Sequence, residues 1–558
     1  MNRRSRCFAG RLRLLWVTPW LVAAAPGAGQ APPPPSTPVF GETVEVRVVN
    51  FEVVVTDKDG IPVTGLGPGD FQLTVDGKEH PIRYFTEVRG GDAVDGEALS
   101  AEGPAVAGVP DLVPGTPVGT SYLVFVDDYF SIARDRDRVL RSLMEELPRL
   151  APEDRMAIVA FDGSRLDMLS TWSGSLPELE RALRTATSRP AYGLQRLAEK
   201  RNLANDQRLR QQINFTRQPL ETRLDITERF YAETIEQQVG NMVSGVAAAL
   251  RGFANPPGRK VLLMLSGGWP FDPADYAANE FGRSIIEPGL RRGDQLLAPL
   301  VDTANQLGYT IYGVDVPGIA TESFGDVEFS DPPALADTAT GFLRESNTQW
   351  TLQHVARQTG GRALLNANRL KALERAAMDT RSYYWLGIVP DWQGNDSRHR
   401  IEVAVRRDGL KLRSRAGYVD MSRQTEVGMA VESVLLFGSG PGARPLPIRF
   451  GRPERTSMNV MKVPLDIAVP LDGLTLLPVE GGFATDLELR IAALDERGGR
   501  SEIPVIPMQL KVAEPPAPGQ FVTYQTVVEL RRVTNQLVVA VYDPVNGTIY
   551  SASAEVRP

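Results

Sequence analysis

Two adjacent carboxylates, Asp127 and Asp128, close the apolar run Tyr122–Val126, and a hydroxyl follows at Ser131. A short apolar run bounded by turn signals reads as a strand buried on both faces. Carboxylates at its end sit where strand ends and helix N-termini converge, which is where open α/β sheets bind ligands. Asp127 could equally cap a helix or accept hydrogen bonds at the strand end, which needs no ion. A second hydroxyl, Ser266, follows the apolar run Lys260–Leu265 and leads into Gly267, Gly268 and Trp269. A serine after a buried strand resembles a nucleophile elbow, but Met264 stands where that motif needs glycine.

Other catalytic chemistry has little support. His80, His354 and His399 lie in separate contexts and in no metal-ligand spacing. Cys7 is the single cysteine and falls inside the leader, so the mature chain has no disulfide, thiolate metal site or thiol nucleophile. Asp57, Asp59 and Asp70 read as turn residues rather than calcium ligands, since Asp-Gly is a strong turn signal. The run Gly438-Ser439-Gly440-Pro441-Gly442 is a loop with no helix after it to make a nucleotide site.

The elements that must hold these residues read as follows. Arg3, Arg4, Arg6, Arg11 and Arg13 precede an apolar stretch, Leu12–Ala25, and small residues follow. Residues 1–30 thus predict a signal peptide cleaved near 25–31 and an exported, periplasmic or secreted chain. Its removal leaves 56 basic residues against 68 acidic. That balance argues against nucleic acid or anionic membrane as a general partner. A proline-dense spacer spans 31–42. Alternating strands at 43–90 predict half of a β-sandwich, and 91–119 a linker. Buried strands and amphipathic helices alternate over 120–380, which predicts a mostly parallel sheet covered on both faces. A charged helical insertion interrupts it at 188–253, and an exposed loop is expected at 324–341. Strands at 381–420 are expected to complete the N-terminal sandwich. Residues 421–432 read as a linker and 433–558 as a second β-sandwich of immunoglobulin-like type.

The strings VNFEVVVTDKDGIPVTGL, DFQLTVDGKEHPI, IYGVD, LQHVARQTGGRALLNAN, YYWLGIVP and LRSRAGY resemble the exported VWFA-related proteins of acidobacteria, across about residues 44–420. This resemblance implies a von Willebrand factor type A (VWA) domain, α/β and Rossmann-like, flanked by β-sandwich units. It also implies a metal-ion-dependent adhesion site built on Asp-x-Ser-x-Ser. Asp127 and Ser131 match that motif, but Tyr129 stands at the first Ser. The second-loop Thr has no counterpart, and Gly267 stands at the third-loop Asp.

The expectation is therefore a non-enzymatic protein-binding or adhesion protein with a degenerate metal site. Asp127 and Ser131 are its residual ligands. Asp128, Tyr129, Ser266 and Trp269 are the candidates to face a protein partner. No cofactor is expected, magnesium being the one candidate, and no small-molecule substrate is evident. The alternatives are magnesium-dependent adhesion through Asp127 and Ser131, and a cell-envelope hydrolase using Ser266 or the acids Asp127 and Asp128.

Overall fold

The computed structural model describes residues 48–94, 115–213, 223–253, 256, 258–278, 287–317, 337–437, 444–495, 501 and 503–557. The expected signal peptide with Cys7, the proline-dense spacer, most of the 91–119 linker, most of the 324–341 loop and the 438–442 glycine run lie outside these residues. The chain is mixed α/β with several sheets, many of them antiparallel. Its described residues divide into two compact units, 48–425 and 426–557.

The first unit begins with β1 (Val49–Thr56), β2 (Phe71–Val75), β3 (Lys78–Glu79), β4 (Tyr84–Arg89) and β5 (Asp92–Val94). The chain then enters β6 (Thr120–Asp127), α1 (Ala133–Glu146), β7 (Arg155–Phe161), β8 (Leu166–Ser173) and α2 (Leu176–Thr187). Two long helices follow, α3 (Gly193–Ile213) and α4 (Ile226–Gly252). After them come β9 (Arg259–Ser266), α5 (Pro273–Ala278), α6 (Gly293–Leu307), β10 (Tyr309–Asp315), α7 (Asp337–Gln358), β11 (Arg362–Leu364) and α8 (Ala372–Thr380). The unit returns to strands in β12 (Tyr383–Ile388), β13 (Ser397–Val405), β14 (Lys411–Arg413) and β15 (Gly417–Asp420).

The central sheet has the order β11-β10-β9-β6-β7-β8. β6 pairs in parallel with β9 on one side and β7 on the other, and only β8 runs antiparallel. All eight residues of β6 are buried. Tyr122, Val124 and Val126 pack with Val139, Leu140 and Leu143 of α1, Leu179 and Leu183 of α2 and Leu373 of α8. The alternate side chains Leu123 and Phe125 are also fully buried. On that second face Gly245 of α4 lies against the Phe161 ring and Gly313 of β10 against Leu352 of α7. A continuous apolar run is what a sheet with helices on both faces demands.

The strands at either end of the unit meet. β12 lies between β1 and β4, antiparallel to both, and β13 pairs with β2 and β15. The resulting sheets, β14-β1-β12-β4-β5 and β15-β13-β2-β3, bury one core that holds Phe51, Val53, Phe71, Leu73, Phe85, Tyr384, Leu386 and Ile401. The α/β segment is therefore inserted into a β-rich body whose halves are about 300 residues apart in sequence, a separation seen directly in the Phe51–Leu386 pair.

The 421–432 linker expectation is corrected. A helix, α9 (Arg423–Phe437), occupies this stretch. Val427, Val431, Val434 and Leu435 recur at helical spacing and are buried, and the last three pack on Ala492, Val538 and Ala540. The rest of the second unit is β-rich: β16 (Arg444–Pro445), β17 (Ile448–Phe450), β18 (Glu454–Arg455), β19 (Val460–Pro470), β20 (Leu477–Val479), β21 (Gly482–Asp495), β22 (Val505–Val512), β23 (Phe521–Arg531), β24 (Asn535–Tyr542) and β25 (Ile549–Val556). One sheet runs β16-β25-β24-β21-β20 with β22 also on β21; the other holds β17, β19, β18 and β23. Val463, Leu465 and Ile467 of the second share a core with Leu489, Ile491 and Val539 of the first. No helix among the described residues is long and apolar enough to cross a membrane.

Candidate functional site

The β6 strand ends at Asp127, and its carboxylate is completely engaged by the protein. Oδ1 accepts the backbone N–H groups of Tyr129 and Phe130, both at 2.9 Å. Oδ2 accepts the Ser266 hydroxyl at 2.6 Å and the Trp269 indole N–H at 2.9 Å. Asp127, Ser266 and Trp269 are all fully buried. Burial pushes the Asp127 carboxyl up to about 6, against the pull of Ser266, Phe130, Trp269 and Tyr129. The structure thus brings Asp127, Ser266 and Trp269 into one cluster. The first two come from adjacent parallel strands, β6 and β9, and the third from the loop that follows β9.

Asp128 turns the other way. Arg136 Nη1 and Arg189 Nε each donate to it at 2.6 Å, and Arg189 also reaches Asp167 at 2.8 Å. Arg136 and Asp128 have no exposed side-chain surface. This pair ties the strand-end loop to α1, to the end of α2 and to β8. A buried charge with its counter-charges in place is costly to break.

Tyr129 is wedged. A β-carbon on Gly163 would meet its Cδ2 at 2.5 Å, so that glycine makes room for the ring. Arg196 of α3 lies over the ring at 4.7 Å and donates to the phenol oxygen at 2.7 Å. The start of α3 closes the loop from above: Tyr192 N–H donates to Asp128 O and Gly193 N–H to Ser131 O. The buried Lys200 of α3 then donates to the Tyr276 carbonyl at the end of α5. An Asp225/Glu228 capping box starts α4. Along α4, Glu228, Ala232, Ile235, Val239 and Met242 are buried, and Gly245 lies against the Phe161 ring at the carboxyl edge of the sheet. The insertion roofs the strand ends.

This placement corrects the expectation that Asp128, Ser266 and Trp269 face a partner. All three are buried, held by Arg136 and Arg189, by Asp127, and by Asp127 with α7 respectively. The α7 contact is Thr351 Oγ1 donating to the Trp269 carbonyl at 2.7 Å. Tyr129 is half-buried under α3. For Asp128 and Tyr129 the reason is the insertion, whose charged sequence reads as a solvated face but whose first turn packs on the loop; Ser266 and Trp269 turn inward to Asp127.

The residues do not fit a cation. All four hydrogen-bond directions of Asp127 are taken by donors, and an indole N–H cannot ligate a metal. Gly267, at the place of the family's third-loop Asp, has its α-carbon so close to the neighbouring loop that a β-carbon would stand 2.2 Å from Phe130 O. Ser131 Oγ is buried without a partner, but one hydroxyl is not a coordination set for magnesium. No group of three or more His, Cys, Asp or Glu able to hold a metal occurs among the described residues. Nor is Ser266 poised as a nucleophile. Its Oγ donates to Asp127 and accepts from Gly268 N–H at 3.1 Å. His354 packs on Phe271, and His399 is bonded to Asp76 at 2.7 Å and stacked on Tyr418.

Neither a protein-family model nor a curated protein sequence matches the chain. Among solved structures, a Bacteroides uniformis β-glucuronidase aligns at 11% identity over 31% of this chain and 19% of its own, with a TM-score of 0.14. A protein from Archaeoglobus fulgidus aligns at 8% identity over 21% of this chain and 96% of its own, with a TM-score of 0.14. The pilus adhesin SpaC from Lactobacillus rhamnosus GG aligns at 9% identity over 87% and 60%, with a TM-score of 0.20. Similarities this slight carry no argument about fold or activity.

Proposed function

We propose that the α/β segment is a VWA-type domain whose strand-end cation site is filled by the protein's own donors, and that the chain is an exported, non-enzymatic protein-binding module. The strand order and the loop positions of Asp127, Ser131 and Gly267 support the domain reading, and the basic-then-apolar leader supports export. The four donors on Asp127 speak against metal-dependent adhesion, and the lack of any histidine on Ser266 Oγ speaks against a serine hydrolase.

The observation that carries the binding role is on the exposed face of α4, opposite its buried stripe Glu228, Ala232, Ile235, Val239 and Met242. Ile226 and Phe230, one helical turn apart, are 89% and 72% exposed. Large apolar side chains paired on the exposed face of a helix are anchors of the kind that fill a partner's pocket. The test is a photo-reactive residue at position 230 of the mature chain, presented to envelope proteins with and without EDTA. A discrete cross-linked protein is expected, unchanged by EDTA and lost on Ile226→Asp. Capture that needs a divalent ion would restore metal-dependent adhesion. Ester or peptide hydrolysis abolished by Ser266→Ala would restore the enzyme.

A further inference from the structure

In the second unit β23 lies at the rim of its sheet. It pairs with β19 along all eleven residues, Phe521–Arg531, without a slip, and no strand among the described residues lies on its other side. The hydrogen bonds that flank this ladder fix which way its backbone points. Arg532 N–H donates to Asn459 O, and Leu471 N–H donates to Gln520 O. Backbone direction alternates along a strand, so the even-numbered residues of β23 face β19. The far side of β19 agrees: Gly451 N–H donates to Pro464 O, and Ala468 N–H donates to Pro447 O, so its even positions turn away from β23. The N–H and C=O groups of Phe521, Thr523, Gln525, Val527 and Glu529 therefore point to the open edge. None of them has a hydrogen-bond partner among the described residues.

Such a row is a template for another strand unless the sequence blunts it. The preceding strand, β22, carries Pro507 and Lys511, two such devices. β23 has none over Phe521–Val528: the run FVTYQTVV holds no charge, proline or glycine. Most of it is β-branched or aromatic, a composition that favours strand pairing between like segments. Its two faces differ. Val528 and Leu530 are buried in the core with Val463 and Leu465, whereas Phe521, Thr523 and Gln525 are exposed, Phe521 by 51%.

The strand that fits this edge best is the edge itself. In antiparallel pairing of two copies, a two-fold axis at Tyr524 sets Phe521 opposite Val527 of the second copy and Thr523 opposite Gln525, each twice. An aromatic against a β-branched residue is a favourable cross-strand pair, and here polar also meets polar. An axis at Gln525 would set Phe521 against Glu529, and one at Thr526 would set Gln525 against Val527. The axis at Tyr524 leaves Glu529 outside the ladder, where Lys462 already balances it at 3.6 Å. It also makes Tyr524 a non-hydrogen-bonded self-pair, as its even position requires, and forms about eight main-chain hydrogen bonds.

We infer that β23 is a dimerisation edge: two copies of the chain pair β23 with β23, antiparallel about Tyr524, and join their sheets into one. The contact is narrow, so the dimer is reversible. This inference uses neither the α4 anchors nor the strand-end cluster.

Sedimentation equilibrium of the full mature chain is the test. A monomer–dimer equilibrium is expected, with a dissociation constant below about 100 μM. Thr523→Pro removes one outward N–H and spares the bonds to β19, a place where an edge strand tolerates proline. Val527→Lys sets a charge against Phe521 of the second copy. Each variant, with its fold checked by circular dichroism, is expected to weaken the dimer by about tenfold or more. Tyr524→Cys reads the register, since the mature chain has no other cysteine. Two such residues stand about 4.5 Å apart between α-carbons, within disulfide reach, and oxidation should link the chains. Val522→Cys, about 14 Å from its symmetry mate, should stay unlinked. A chain that remains monomeric at these concentrations overturns the inference. So does a dimer indifferent to both Thr523→Pro and Val527→Lys, or equal cross-linking at 522 and 524. If Tyr524→Cys fails to fold, sedimentation of the wild type against the two edge variants still decides the matter.

Discussion

The indole N–H of Trp269 can only donate, so its place on Asp127 Oδ2 makes that oxygen an acceptor for protein rather than for an ion. Trp269→Phe removes that donor together with the five-membered ring, leaving the buried carboxylate one bond short and a small void beside it. At least about 1.5–3 kcal/mol of stability should be lost in urea unfolding, the range for hydrogen bonds to charged groups, with the void adding to it. Gly267→Asp introduces the aspartate of the metal-site motif that the sequence resembles, but its β-carbon would strike the Phe130 carbonyl. No rotamer relieves a collision with backbone, so this variant should lose about 3 kcal/mol or more and gain no magnesium affinity. The protonation of Asp127 gives a pH test. Burial raises its carboxyl to about 6 in the fold, against 3.8 for an ordinary aspartate. The folded state therefore holds the proton more tightly than the unfolded chain. The stabilisation from protonation is complete below pH 3.8 and is gone once the pH rises past 6. The stability difference between wild type and Asp127→Asn should thus shift toward the wild type on acidification from pH 7 to pH 4, by about 3 kcal/mol at most. A difference that is flat with pH would contradict this.

Among the elements, α3 is held to the sheet by a residue that the metal motif would not contain. Tyr129→Ser recovers the motif's hydroxyl but removes the ring between Gly163 and Arg196. The expected result is faster cleavage within 193–252 in limited proteolysis and a lower melting temperature, with magnesium leaving both unchanged. The strands of the central sheet were legible because continuous apolar runs such as Tyr122–Val126 and Lys260–Leu265 can be buried only on two faces. Strands at 381–420 were legible from the sequence pattern, but their pairing with β1 and β4 joins residues as distant as Phe51 and Leu386, which alternation does not specify. The roof was not legible. The side chains that make it, Arg136, Arg189, Arg196 and Lys200, are spaced like solvent-facing charges, and their partners lie up to 76 residues away. Helix α9 was missed for a different reason. Its apolar positions Val427, Val431 and Val434 fit a helix, but the polar stretch Ser422–Glu426 and Gly428 resemble a loop.

The molecule has two compact units, each with its own apolar core. Residues 426–558 bury Val463, Leu465, Ile467, Leu489, Ile491 and Val539 among themselves and should give a dispersed amide spectrum when expressed alone. The first unit holds a sealed carboxylate, Asp127, at the carboxyl edge of its central sheet. The sealed site is the central claim, and calorimetric titration of magnesium and manganese into the metal-stripped mature chain tests it most directly. No binding heat, and a melting temperature indifferent to EDTA, is the expected result. One ion bound per chain with a dissociation constant below about 100 μM, a free energy near 5.5 kcal/mol, and abolished by Asp127→Ala, would contradict it.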